Sequence, residues 1–388
     1  MFKAKTGSST NADAAMAGKE AARTIKSELS YPKMAFVYSG VQYNQNELLD
    51  AISSQLPGVP LIGNTSFTGV ITNDGFISGE DGFVGILALE DDSMVVGIAS
   101  QEKESDARAA GQSVAQKAQI AANKLTSPDY FYMVAPPGEE EFYLKGITDV
   151  IGRVPFFGGS AADNSISGDW LLYTNDLITA DGVAVAFFYT DRPFANSFTG
   201  AYEETENVGI ITKLDGYRTL VEIDGVPALK KYAQWAGVDV ETLKGRNLLG
   251  YTITAPLGVK DRLGDLIAIR HPMNGNDDYS MAIGSNLAVG TAVIQMKSSI
   301  DGLIKSAGEN IGLVLEKAGE PVGALHLVHC GGRRAGVADR IDELVAETKK
   351  AAGDIPFIME FTFGEYGYED DGNNTCGGLM LSFTAFVK

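Results

Sequence analysis

Hydrophobic positions along the chain fall into short solid runs separated by longer segments that carry a spaced apolar stripe. Met34-Ala35-Phe36-Val37-Tyr38, Val59-Pro60-Leu61-Ile62-Gly63 and Phe83-Val84-Gly85-Ile86-Leu87-Ala88-Leu89 have strand length and turn residues at their ends, and read as buried strands. Between them, Asn11 to Leu29 is alanine-rich and helical, and Asn46 to Leu56 sets Leu48, Leu49 and Ile52 on one helical face. Ala107, Ala110, Val114, Ala115, Ala118, Ala122 and Leu125 trace the buried stripe of a long helix. The runs Phe83–Leu89 and Met94–Ala99 flank the short turn Glu90-Asp91-Asp92-Ser93, which predicts an antiparallel pair and argues against a purely parallel sheet.

The pattern then returns. Tyr130-Phe131-Tyr132-Met133-Val134 is a strand, Glu140 to Ile151 a helix, and Val154-Pro155-Phe156-Phe157-Gly158 a strand again. Val59-Pro60 recurs 95 residues later as Val154-Pro155, and Asp81-Gly82 recurs 100 later as Asp181-Gly182, so the order reads as an internal duplication. A third copy runs through the amphipathic stripe Ile300 to Leu315, strand Ala324–Val328, helix Asp339 to Lys350, Ile355-Pro356-Phe357-Ile358-Met359 and a closing strand at Gly377–Phe383. The interval from about Gly200 to Lys297 breaks the rhythm with strands of its own and a short helix near Tyr232. The expected fold is mixed α/β, built from repeated helix–strand units with helices outside. Polar Glu203-Glu204-Thr205-Glu206 marks the expected boundary, giving domains 1–205 and 206–388.

Composition narrows the function. A net charge of −19 with no basic stripe excludes nucleic acid and an anionic membrane surface as partners. The first ten residues lack the apolar core of a secretory signal, and no apolar run reaches the ~18–20 residues of a membrane span. Two cysteines, Cys330 and Cys376, are too few for a disulfide framework or a four-thiolate metal site, so a cytoplasmic location and no metal are expected.

Candidate chemistry gathers at turns after strands, where α/β sheets commonly bind ligands. Gly158-Gly159 allows tight backbone with open N–H groups, and Ser160, Asp163 and Asn164 add polar side chains. Gly63-Asn64-Thr65 precedes it as a related turn, and Phe363-Gly364-Glu365 is the expected third. Arg333 offers a fork of donors for a carboxylate or phosphate, and Asn373 and Thr375 hydrogen-bonding groups. Tyr366 and Tyr368 add aromatic surface nearby. Acids and an arginine at strand ends suit a zwitterion. The same Asp163, Glu365, Arg333 and Cys330 are the residues an enzyme would use, but no nucleophile elbow, P-loop or dinucleotide fingerprint sits in its required context.

Gly158-Gly159-Ser160-Ala161-Ala162-Asp163, Asp224-Gly225-Val226-Pro227-Ala228, Cys330-Gly331-Gly332-Arg333, Phe361-Thr362-Phe363-Gly364-Glu365 and Asn373-Asn374-Thr375, in that order, make the chain resemble the FIST domain family. That resemblance implies a non-enzymatic sensory module with N-terminal and C-terminal parts. It would bind a small polar ligand such as an amino acid and relay to a separate signalling partner of kinase or cyclase type. A subset of the family resembles nitric-oxide-sensing haem proteins, which makes haem the alternative, with His271 as its ligand. His326 and His329, three apart in a strand, should face opposite sides and form no paired site. This chain departs from the family pattern in three places. The turn Gly63–Val70 lacks a cysteine and a glutamate, Asp371-Gly372 stands where a histidine is common, and Pro193–Ala201 contains no histidine.

Overall fold

The computed structural model describes residues 1–260, 266–369 and 372–388, so Asp371 lies outside the described residues. The fold is mixed α/β, and the rhythm of the sequence becomes three like units. The first contains β1 (Lys3–Ser9), α1 (Ala14–Glu28), β2 (Met34–Ser39), α2 (Gln45–Gln55), β3 (Leu61–Thr65), the hairpin β4 (Val70–Thr72) and β5 (Gly75–Ile77), and β6 (Val84–Glu90). The second repeats it with β7 (Val95–Glu102), α3 (Ala107–Ala121), β8 (Tyr130–Ala135), α4 (Glu140–Ile151), β9 (Phe156–Ser160), β10 (Leu172–Thr174), β11 (Ile178–Thr179) and β12 (Gly182–Tyr189). The third opens with β13 (Phe194–Thr199) and resumes at α5 (Ile300–Ala318), β14 (Val322–Cys330), α6 (Gly331–Val337), α7 (Ile341–Ala352), β15 (Phe357–Thr362), β16 (Glu365–Gly367), β17 (Thr375–Gly377) and β18 (Leu381–Val387).

Each unit pairs its two central strands in parallel and brackets them with antiparallel neighbours, in the orders β1-β6-β2-β3, β7-β12-β8-β9 and β13-β18-β14-β15. The units then exchange hairpins in a ring. β4–β5 of the first extends the third sheet at β15, β10–β11 of the second extends the first at β3, and β16–β17 of the third extends the second at β9. An exposed edge of unpaired backbone is costly and sticky, and the exchange covers one edge of every sheet.

Helices cover the outer faces and the inner faces meet in one core. Asp13, Asp106 and Ser299 cap α1, α3 and α5 by accepting from backbone N–H groups three residues on, at 2.7, 2.7 and 3.0 Å. Small residues let the helices approach closely. A Cβ at Gly111 of α3 would lie 2.2 Å from the Tyr143 carbonyl oxygen, and one at Gly146 of α4 2.0 Å from that of Arg108. On the inner side, Phe36, Tyr132 and His326 occupy matching positions of β2, β8 and β14. Their predecessors Ala35, Phe131 and Leu325 donate N–H groups to Pro60, Pro155 and Pro356 respectively. The three rings meet at 5.1, 4.6 and 5.4 Å between centroids, a layer across the pseudo-threefold axis.

The interval that broke the rhythm is an antiparallel sheet inserted between β13 and α5. Its long strand Glu203–Asp215 pairs with Thr219–Ile223 on one side and Ala292–Lys297 on the other. The boundary expected at 205/206 falls inside that long strand. Ile211, Leu220, Leu229, Tyr232 and Met281 give the insert its own core, and Ile269, Ile294 and Met296 pack it onto Cys330, Leu379 and Met380 of the third unit.

Candidate functional site

Gly158-Gly159-Ser160, expected as a turn, is the end of β9 itself, and it owes its sequence to backbone crowding. Gly158 has φ +139°, and a Cβ there would lie 2.0 Å from the Met133 carbonyl oxygen. Its neighbours do not leave N–H groups open. Ser160 N–H donates to the Gly364 carbonyl at 2.8 Å, Ala161 N–H to Ala135 at 3.0 Å and Ala162 N–H to Thr65 at 2.9 Å. The exchanged hairpin has taken the place expected for a ligand: Gly159 pairs with Glu365, and Ser160 Oγ meets the Tyr366 hydroxyl at 2.7 Å.

Asp163 and Asn164 are committed elsewhere. The buried Asp163 carboxylate accepts from the N–H groups of Ser165, Ile166, Ser167, Gly168 and Asp169, which knots its own loop. Asn164 Oδ1 accepts from Thr68 N–H at 2.9 Å and ties that loop to the first unit. Arg333 is fully buried and donates to the carbonyls of Gly200 (2.6 Å), Leu379 (3.3 Å) and Leu303 (3.2 Å) and to Ser306 Oγ. Both terminal nitrogens are engaged by the fold, and the buried Nε alone has no partner.

Glu365, Arg333 and Cys330 do lie together. Glu365 accepts from Thr362 Oγ1 at 2.9 Å and from Met380 N–H at 2.8 Å, and burial pushes its carboxyl up to about 8. Burial also drives the Cys330 thiol far above its ordinary value, and its Sγ accepts from Gly332 and Leu379 N–H groups. A sealed, protonated thiol is not an activated nucleophile.

A second polar cluster sits on the pseudo-threefold axis, next to the ring of Phe36, Tyr132 and His326. Tyr38 donates to the Tyr132 hydroxyl at 3.2 Å and also meets His326 Nε2. Tyr132 donates to Asn64 Oδ1 at 3.2 Å, and Asn64 Nδ2 to Glu360 at 2.9 Å. All five side chains are fully buried. Burial pushes Glu360 up to about 8 and His326 down to about 3, so at neutral pH they are an uncharged pair rather than a salt bridge.

Asn373 leads to a third place. It lines a groove of about 330 Å³ between α4 and β17, together with Glu141, Lys145, Arg153, Asn374 and Cys376. Thr375 is close by, donating to the Asn373 carbonyl at 3.3 Å. Arg153 lies over the Tyr368 ring at 4.6 Å, and Asn374 Nδ2 donates to the Val154 carbonyl. The groove adjoins the seam with the insert. There Arg218 donates to Glu140 and Glu141, each at 2.7 Å, and Arg270 donates to the Cys376 carbonyl at 3.2 Å.

Comparison with protein-family models matches residues 33–226 to the FIST N domain and 228–368 to the FIST C domain. The chain belongs to the FIST family. FIST domains are sensory and signal-transduction modules. No curated protein matches. Among solved structures, cyanuric acid hydrolase from A. caulinodans covers 100% of both chains at 9% identity and a TM-score of 0.34. PurLQS from Thermotoga maritima aligns over 100% of this chain and 72% of its own at 11% identity and a TM-score of 0.23.

The histidines of this FIST protein do not suit haem. His271 Nε2 lies 3.0 Å from Thr252 Oγ1, and the side chain packs beside Gly332 and Gly378. Burial pushes it down to about 4. His326 is engaged by Tyr38, while His329 packs against Phe361 in the outer core, the opposite-face arrangement that strand geometry predicts. His326 Nδ1 and His329 Nε2 have no hydrogen-bond partner, but both rings are fully buried, and an axial ligand needs its free nitrogen to face an open slot. The axial Glu360 was not among the residues expected from sequence, although Pro356 was its signal. Proline-to-proline alignment equates Asn64, Gly159 and Glu360, so Met359-Glu360-Phe361, within β15, is the third counterpart and Phe363-Gly364-Glu365 is not.

Proposed function

We propose that this protein is a small-ligand-binding sensory module whose ligand, a small polar metabolite such as an amino acid, occupies the groove between α4 and β17. One observation carries the reading: the groove gathers an acid, two cations and two amides from the second and third units, beside the seam with the insert. Its volume of about 330 Å³ is at the small end for ligand pockets, which suits a metabolite and not a large cofactor. The position also favours a relay. Glu141 is both a groove wall and an anchor of the insert, so what binds in the groove bears on how the insert is held. The output then passes to a separate signalling protein.

Calorimetry and thermal-shift measurements across amino acids and small organic acids test this. A compound that binds the native chain and is lost in Arg153→Ala and Asn373→Ala supports the groove. A compound whose binding is indifferent to both substitutions places the site elsewhere, and turnover of an ester, amide or phosphate without stabilisation by any compound favours an enzyme.

A further inference from the structure

The first turn of α4 is where body and insert meet, and Glu141 belongs to both. Glu141 Oε1 accepts from Asn286 N–H at 2.9 Å and Oε2 from Arg218 at 2.7 Å, both partners coming from the insert. Phe142 adds an edge contact to Tyr217 at 5.4 Å. Glu140 beside it is sealed, with 3% of its side chain exposed, whereas Glu141 keeps 24% and lines the groove.

Glu141 and Lys145 stand one helical turn apart, in the order that ordinarily forms an i,i+4 ion pair. No such pair forms among the described residues, because Glu141 turns to Arg218 instead. The groove is therefore lined by an acid and by two cations, Lys145 and Arg153, with which Glu141 forms no ion pair among the described residues. The separation of Glu141 and Lys145 is that of i,i+4 side chains, with Cβ atoms about 5–6 Å apart. A molecule with a cationic nitrogen at one end and an anionic group at the other, spaced by a few carbons, satisfies both.

Such a molecule would compete with Arg218 for Glu141. Arg218 can yield at modest cost, because it also donates to Glu140 at 2.7 Å, to Asn286 Oδ1 at 2.9 Å and to the Gly284 carbonyl at 2.9 Å. Three of its partners remain, so the loss of one does not strand a buried charge. Resting on the groove as the ligand site, we infer that the ligand is a zwitterion whose cationic end takes Glu141 from Arg218, so that occupancy loosens the insert from α4. Binding and loosening are then linked, and each must favour the other by the same factor.

The probe is γ-aminobutyrate, with butyrate and butylammonium as single-charge controls, titrated into the full chain by calorimetry. Hydrogen exchange is followed at the amides of 217–223 and 284–287. γ-Aminobutyrate should bind at least about tenfold more tightly than either control, a difference of about 1.4 kcal/mol. Its binding should speed exchange in both insert segments. Arg218→Gln should exchange fast there without ligand and bind the probe several-fold more tightly, and Glu141→Gln should lose the preference for the zwitterion. Tyr217→Ala, at an exposed position, weakens the same contact without touching a charge and should also tighten binding, which covers the case of a poorly folded Arg218 variant. Equal binding of butyrate overturns the zwitterion. Tight binding with unchanged exchange, and no tightening in either insert variant, overturns the linkage but leaves the groove intact. If neither the probe nor any amino acid or organic acid binds, the groove reading falls with it.

Discussion

The Glu360 carboxyl and the His326 imidazole stand 3.7 Å apart on adjacent strands at the centre of the molecule, and neither carries a charge at neutral pH. The folded state holds Glu360's proton to about 8, against an ordinary value of 4.5. Its contribution to stability is therefore fully present below about 4.5 and is lost as pH rises through 8. Glu365, also held to about 8, and Glu140, held to about 7, act in the same direction. His326 and His271 act oppositely, costing stability as pH falls from 6.5 towards about 3 and 4. Glu360→Gln isolates one group. Denaturant melts at a series of pH values should show the native chain losing stability relative to the variant as pH rises from about 5 to about 9. The loss should reach a few kcal/mol, at about 1.4 kcal/mol per pKa unit.

Arg333→Lys should be nearly as harmful as Arg333→Ala. The guanidinium reaches acceptors on α5, on the turn after β13 and at Leu379, and a single ammonium cannot satisfy that fork. Either substitution is expected to cost about 3–5 kcal/mol, read as a lowered denaturation midpoint.

Glycines separate backbone necessity from tolerance. A Cβ at Gly63 would sit 1.7 Å from the Val37 carbonyl oxygen, whereas Gly250 has nothing within 4 Å. Gly63→Ala should yield little soluble protein. Gly250→Ala, in a short helix, should match or slightly exceed native stability, since alanine is the better helix former.

Asp163→Ala should remove roughly 2–4 kcal/mol, because five N–H donors lose their acceptor in one step. Hydrogen exchange at 165–169 should rise first, since those bonds close that loop alone. Ligand binding in the groove between α4 and β17 should survive, which distinguishes a loop tie from a ligand contact.

The sequence determined the alternation of strand and helix, the three copies and the interruption near residue 200, because burial periodicity and turn chemistry are local. It also carried the family resemblance. The strand Lys3–Ser9 is illegible in the sequence because Lys3, Lys5, Thr6, Ser8 and Ser9 give it no apolar alternation; pairing with β6 and cover from α1 make it a strand. Hairpin exchange was illegible for a related reason. β4, β10 and β16 are three-residue strands that take a partner from another unit, and nothing in so short a run names a partner a hundred or more positions away. The exchange in turn decided the fate of the Gly158-Gly159-Ser160 segment, filling with Glu365 and Tyr366 the space a ligand was expected to occupy. Sequence could name Arg333 and Asp163 as polar groups at strand ends, but whether a donor or acceptor is satisfied by backbone or left for a ligand depends on what packs against it. That is settled only when the three units and the insert close on one another.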